Sequence, residues 1–492
     1  MKKSGQERQK KNSIFFLIAI GVFLCILALP EPAPMTTESG SVALTAQGKA
    51  ALAVLAMAVT LWVTEAIPFS VTGLFGMSLL VMTKVAPLKE LIRDGFGNRI
   101  IVFFIGVLIF SAAISETSLL RRIATFVLFH LGHSASLIIL AFLTVGSLLS
   151  GWITDMAVAA MLLPMGVSIL KDAGAKPLKS NFGRALMISC AWGPLIGGIS
   201  TPAGCGPNPL TMGFLKDLAG IDFTFLQWML VGFPAMILMV PCAWFILLKV
   251  FPLEDIHLKI SEDEFKKRFD ELGRLTKQEI WLLIIFGITI TLWISGPFIG
   301  RLTNGALDYL DIYFVALTFA CTLFFPGISV ISWKTAEQKI SWGGILLIVS
   351  GLAMGMAVYN SGAAEWIAWI AFRSIGNLHP VVIVFVIVFG VSIMKVLFSS
   401  NTVTGTIVVP LLIALAQNLN LDPALLGIPA GITSSLAFIL VTSTPTNVIP
   451  YSSGYFSIGD MAKAGTWMTI ASSLSVTVSI YVMGTLFGII AF

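Results

Sequence analysis

Charge is scarce in this chain. Only 11% of its 492 residues are Asp, Glu, Lys or Arg, against 57% hydrophobic residues, and mean hydropathy is +0.94. A soluble domain of this length cannot hide so much apolar surface. Histidine is scarcer still, with four copies, which leaves little acid–base equipment for an enzyme. No His-Glu-x-x-His, P-loop or Gly-x-Ser-x-Gly motif occurs, and no catalytic residue is assigned. The five cysteines (Cys25, Cys190, Cys205, Cys242, Cys321) are odd in number and have no metal-ligand spacing. That argues against a disulfide framework and a transition-metal site. His130 and His133 lie three apart without an acidic or thiol neighbour. The net charge of +5 comes from bases clustered at segment ends, as membrane topology requires, and implies no nucleic acid partner.

Present instead are apolar segments of about 17–25 residues from Ile14 to the end of the chain, continuous rather than alternating. They predict an all-α polytopic membrane protein with about 11 transmembrane segments. The basic start MKKSGQERQKK precedes the apolar Ile14–Pro30 with no small-x-small cleavage site. It reads as a first membrane helix with a cytoplasmic N-terminus rather than a signal peptide. The one strongly polar connector, Glu254–Lys277, holds seven acids and six bases and reads as an amphipathic cytoplasmic helix. The organisation expected is therefore 1–49 (basic tail and first helix), 50–251 (first repeat), 252–277 (connector) and 278–492 (second repeat). Scaffold and transport subdomains would be interleaved.

The repeat is carried by registered segments. Thr154–Pro164 lies on Ser400–Pro410 at an offset of 246, Ile123-Ala124 on Ile367-Ala368 at 244, and Pro207-Asn208 on Thr446-Asn447 at 239. Each half runs as span, amphipathic piece, broken hairpin and broken helix. An odd number of crossings per repeat inverts the copies. The N-terminal tail, Lys171–Arg184 and the connector then fall inside, as the positive-inside rule asks. Lys84–Arg99, with four bases, falls outside and disagrees.

Polar breaks sit where apolar runs should continue. Ser134–Leu170 and Val381–Ala416 break at Thr154-Asp155-Met156 and Ser400-Asn401-Thr402, the pattern of re-entrant hairpins. Their second arms start at mid-bilayer, so free N–H groups and the positive dipole end face the centre and attract an anion. Thr154 and Asp155, or Ser400 and Asn401, can cap those starts. Two facing starts suit a solute with an anionic group at either end. The broken helices, around Gly204–Asn208 and Ser443–Asn447, expose carbonyl oxygens. Asn208 and Asn447 add amide oxygens suited to Na+. No arginine lies deep in a span to clamp a carboxylate. Lys395, five residues before Ser400, is the available cation, and Asp155 is its nearest candidate partner across the repeat axis.

At these motifs the chain resembles the divalent anion–sodium symporter (DASS) family, the INDY-type dicarboxylate transporters. Trp62-Val63-Thr64-Glu65-Ala66-Ile67-Pro68 looks like the family's opening signature, and Ser400-Asn401-Thr402 matches its second Ser-Asn-Thr motif. Ser443-Thr444-Pro445-Thr446-Asn447 with Gly459-Asp460-Met461 looks like its C-terminal signature, and Gly197-Gly198 through Gly206-Pro207-Asn208 resembles the matching first-half segment. The resemblance implies a homodimer in a plasma (inner) membrane, with a fixed scaffold and a moving transport domain working as an elevator. The implied substrates are C4/C5 dicarboxylates such as malate, succinate and 2-oxoglutarate. On that pattern Ser400, Asn401, Thr402, Thr444 and Pro445 bind one carboxylate end. Thr154, Asp155, Met156, Gly204, Cys205 and Gly206 occupy the other, and Asn401, Asn208 and Asn447 lie near sodium positions. No cofactor is implied beyond Na+ as a coupling ion. The first motif departs from Ser-Asn-Thr: Met156 lacks a hydroxyl and Asp155 replaces a neutral amide. Asp155 and Lys395 are expected to replace a sodium position and make the chain a dicarboxylate exchanger. A sodium symporter with Asp155 strengthening its cation site is the alternative, and an anion channel the remote one.

Overall fold

The computed structural model describes residues 2–37, 40–131, 134–254, 270–372 and 378–491. His133 and most of the connector, 255–269, lie outside the described residues, and with them the expected amphipathic connector helix.

The chain is helical and built twice over. The lead helix α1 (Lys2–Ala28) runs from the basic tail into the first apolar segment. A two-stranded antiparallel ribbon, Met35–Thr37 with Gly40–Val42, follows it. That ribbon corrects the all-helical expectation locally. The first repeat comprises α2 (Ala46–Thr64), α3 (Phe69–Met82), α4 (Leu88–Asp94), α5 (Arg99–Glu116), α6 (Leu119–Leu131), α7 (Ala135–Ser150), α8 (Asp155–Asp172), α9 (Asn181–Gly198), α10 (Pro207–Ala219) and α11 (Phe225–Val250). The second comprises α12 (Lys277–Leu302), α13 (Ile312–Thr322), α14 (Trp333–Lys339), α15 (Trp342–Asn360), α16 (Ala363–Phe372), α17 (Pro380–Met394), α18 (Asn401–Asn418), α19 (Pro423–Ser434), α20 (Pro445–Tyr451) and α21 (Ile458–Phe487). Among the described residues, nine helices are long and apolar enough to cross a membrane.

The pairing is close in detail. α4 and α14 both have seven residues, and α8 and α18 both have 18 with a proline (Pro164, Pro410) at the tenth position. Neither α4 nor α14 was expected from the pattern, because a two-turn helix shows no readable period. Start signals are local. Ser134, Ser180 and Ser400 accept an N–H from the first turn of α7, α9 and α18. Capping boxes open α11, α12 and α21. Beyond α11, the Glu254 carboxylate takes the backbone N–H groups of Asn181 and Phe182 at the start of α9. Desolvation pushes that carboxyl up, but these N–H groups and the Ser180 hydroxyl hold it below its ordinary range.

The halves cross where small residues let backbones approach. A Cβ on Gly106 of α5 would stand 2.7 Å from the Ala316 carbonyl oxygen of α13, and one on Gly73 of α3 would meet the Ser350 side chain of α15. Gly73 corresponds to Ala316 at an offset of 243, and Gly106 to Ser350 at 244. The same crossing is therefore built twice with the glycine on opposite partners. Gly351 and Gly355 admit Thr406 and Phe214 in the same way.

Backbone cannot yield as a side chain can. Gly106→Leu should lower stability by about 1–3 kcal/mol, read as a reduced Tm of the detergent-solubilised protein. Gly21→Ala, with open space around it, should leave Tm within the error of the measurement.

Candidate functional site

The apolar segments containing 134–170, 181–218, 381–416 and 425–451 each break. The broken ends meet around one cavity of about 460 Å³. α7 stops at Ser150 and α8 starts at Asp155; α17 stops at Met394, passes through a 3-10 turn (Lys395–Leu397), and α18 starts at Asn401. The α9–α10 break spans 199–206. The α19–α20 break begins at Ser435, upstream of the expected Ser443, because Pro445-Thr446-Asn447 already forms the first turn of α20.

Asparagines hold the two broken helices open in the same way. Asn208 Nδ2 donates to the carbonyls of Gly198 and Thr201, ten and seven residues earlier, at 2.7 Å each. Asn447 Nδ2 donates to Ala437 and Leu440, again ten and seven residues earlier, at 2.7 and 3.1 Å. Both side chains are fully buried. The bridges give these amides a role that the sequence did not show: their N–H groups satisfy carbonyls that the break would strand.

Thr154, Asp155, Met156, Gly204, Cys205, Gly206, Ser400, Asn401, Thr402, Thr444 and Pro445 all line the cavity. Asn208, Lys395 and Asn447 do not; they are buried. Ser400 caps α18 by accepting the Val403 N–H. Thr154 stands at the N-cap of α8 but makes no capping bond, contrary to expectation. Asp155, 6% exposed, accepts from Ser150 Oγ at 2.7 Å. Lys395, 1% exposed, donates to the Ser443 carbonyl at 2.8 Å. Among the described residues no ion pair joins them, so the expected Asp155–Lys395 pair is not formed. The ammonium instead sits on a carbonyl freed by the second broken helix, 48 residues along the chain.

Cation donors also differ between the halves. The buried Oδ1 atoms of Asn401 and Asn447 and the Ser399 hydroxyl have no hydrogen-bond partner, and such oxygens fit a hard cation like Na+. In the first half Asn208 Oδ1 already accepts from Cys205 Sγ, which also contacts Ser435 Oγ at 2.9 Å. No group of three His, Cys, Asp or Glu side chains that could hold a metal occurs among the described residues.

The opposite wall is mostly apolar, with Pro68 and Phe69 of the α2–α3 corner, Phe104, Val107 and Leu108 of α5, and Leu347 of α15; Ser70 and Ser341 stand among them. Sequence reasoning missed these, since an apolar residue inside a span carries no mark of its own. Pro68, inside the opening signature, was the available clue.

The sodium:sulfate symporter transmembrane region family matches residues 10–490. The chain belongs to that family. Its members include the divalent anion–sodium symporters that the motifs resemble, and the protein is a multi-pass membrane transporter rather than an enzyme. The sodium-dependent dicarboxylate transporter SdcS of Staphylococcus saprophyticus is 29% identical over 450 residues, covering 88% of this chain and 86% of the relative. SdcS of Staphylococcus aureus (strain USA300) is 29% identical over 461 residues, covering 90% and 87%. The fold is also similar to the Alcanivorax borkumensis YdaH transporter (TM-score 0.57, 14% identity, 98% of each chain). Neisseria gonorrhoeae MtrF gives the same TM-score at 12% identity, covering 96% of this chain and 94% of that one. For this transporter, the asparagine bridges make a quantitative expectation. Asn208→Ala and Asn447→Ala each strand two carbonyls, and each should cost about 2–4 kcal/mol in thermal unfolding. A cost near zero at either position would mean that something else holds the break.

Proposed function

We propose that the protein carries C4/C5 dicarboxylates such as malate, succinate and 2-oxoglutarate across a plasma membrane, with the central cavity as the solute site. One observation carries this: two helix starts, those of α8 and α18, border a single cavity, so an anion-attracting end stands at each side of one solute. The substrates named for the SdcS relatives support the same class. The breaks at 151–154 and 395–400 are then tips of re-entrant hairpins. The N-terminus is cytoplasmic, and the protein works as a homodimer whose tip-bearing elements move against a fixed wall.

Charge decides the coupling. A dicarboxylate brings two negative charges. The two helix starts offset roughly half a charge each, and Lys395, when protonated, supplies one positive charge. Asp155, when ionised, returns the deficit to about one. A cation at Asp155 removes it, so sodium-coupled symport is the first reading. It agrees with the sodium dependence of the relatives, and the unpartnered oxygens of Asn401 and Asn447 offer a further cation position. Bound Na+ would supply positive charge beside the incoming carboxylates. Exchange is the second reading, favoured by one contact: the Lys395 ammonium on the Ser443 carbonyl stands in for a mobile cation.

Proteoliposomes separate the two. Uptake of labelled dicarboxylate into empty vesicles, driven by an inward Na+ gradient, is the expected outcome. Uptake that requires internal malate or 2-oxoglutarate and ignores Na+ establishes exchange instead. In either mode Ser400→Ala and Asn401→Ala should each reduce uptake at least about tenfold; unaltered uptake in both would remove the cavity as the solute site.

A further inference from the structure

Met156 is where the two ends of the cavity differ most. The repeat sets it opposite Thr402, each being the second residue of its helix. Thr402 presents a hydroxyl, whose oxygen would lie 2.6 Å from a Cβ on Gly206. Met156 presents a thioether and is 43% exposed. The residues beside it do little to restore polarity. Thr154 makes no capping bond and the Asp155 carboxylate is engaged by Ser150. Leu108 lines the cavity beside them, with Phe104 and Val107.

The space at this end is large. Met156, with Leu108, Thr154 and Ser341, also lines a second cavity of about 460 Å³, whose lining includes Arg121 and Lys339, so it stands at the neck between the two. A C4 diacid has about eight heavy atoms. Even at a whole water's share of about 30 Å³ per atom, it fills about half of the central cavity. One carboxylate is served at the Ser400–Thr444 end; toward Met156 a short diacid would leave water against Phe104, Val107 and Leu108. An unbranched, polarizable methionine packs against carbon chains of varied shape.

Resting on the dicarboxylate reading above, we infer that Met156 sets substrate choice toward diacids with more apolar body than a C4 acid, either longer α,ω-dicarboxylates or alkyl-substituted ones. One carboxylate sits at the Ser400–Thr444 end, the carbon body lies along Met156, and the second carboxylate of a longer diacid points through the neck toward the cavity lined by Arg121 and Lys339.

The test is competition of α,ω-dicarboxylates of four to eight carbons against uptake of labelled succinate by the full-length protein in proteoliposomes. The same series is read as Tm shifts on the purified protein, so that binding is measured apart from turnover. In the wild type each methylene added beyond four carbons should tighten inhibition about fourfold until the neck is filled. Met156→Thr should abolish that gain and bind succinate about tenfold tighter. Met156→Leu, close in volume, should keep the wild-type ranking. A wild type that binds succinate tightest, or a Met156→Thr variant with the wild-type ranking, overturns the inference while leaving dicarboxylate transport intact. If no diacid of any length competes or shifts Tm, the dicarboxylate reading falls, and this inference with it.

Discussion

A helix interrupted among apolar neighbours must find partners for the carbonyls that it strands, because lipid offers none. Asn208 and Asn447 meet that constraint. Each reaches back ten and seven residues to two carbonyls of the preceding half-helix. Each buried amide group left without a partner would cost about 1–3 kcal/mol. The bridges therefore let α9 and α10, and α19 and α20, stop and restart within the protein interior. Those restarts place Gly204–Gly206 and Thr444–Pro445 beside the starts of α8 and α18, and the cavity exists because the four ends converge.

The internal symmetry is closest where it holds the backbone and broken where it lines the cavity. Equal bridges, equal proline positions and mirrored glycine crossings serve the frame. Asp155 faces the position of Asn401, Met156 that of Thr402, and Lys395 has Leu149 as its counterpart at the hairpin offset. A buried charge costs several kcal/mol before compensation, so one carboxylate and one ammonium on opposite sides of the axis are an expensive asymmetry. Their compensation is local and neutral: a serine hydroxyl for Asp155 and a carbonyl for Lys395. The result is a cavity whose two ends carry different side chains, Thr402 at one and Met156 at the other. A perfectly repeated sequence could not make one.

The breaks could be read from the chain because proline, glycine and Ser-Asn-Thr are conspicuous in apolar runs, and their order in each half exposed the repeat. The partners of the breaks could not. Lys395 finds a backbone oxygen, and every residue has one, so nothing in the sequence marks Ser443 rather than Asp155. Asn208 can donate as well as accept, and only the position of the stranded carbonyls decides which matters. The α4 and α14 helices escaped notice for want of length, and the Phe104–Val107–Leu108 wall for want of contrast with its surroundings.

That wall meets the tip-bearing elements through two kinds of contact. Around the cavity, among the described residues, it shares with the tips one long hydrogen bond, Thr154 N to Ser111 Oγ at 3.5 Å; the rest of the facing surface is largely apolar. Dispersion contacts between smooth apolar surfaces can be exchanged for similar ones after a slide. Directional hydrogen bonds must be broken first. Away from the cavity α15 bonds to α18 through the Tyr359 hydroxyl and the Gln417 side chain, and Asn98, before α5, donates to Asp217 of α10 at 2.7 Å. Any displacement of the tip-bearing elements along α15 must therefore part these bonds and lift Thr406 and Phe214 out of the notches at Gly351 and Gly355.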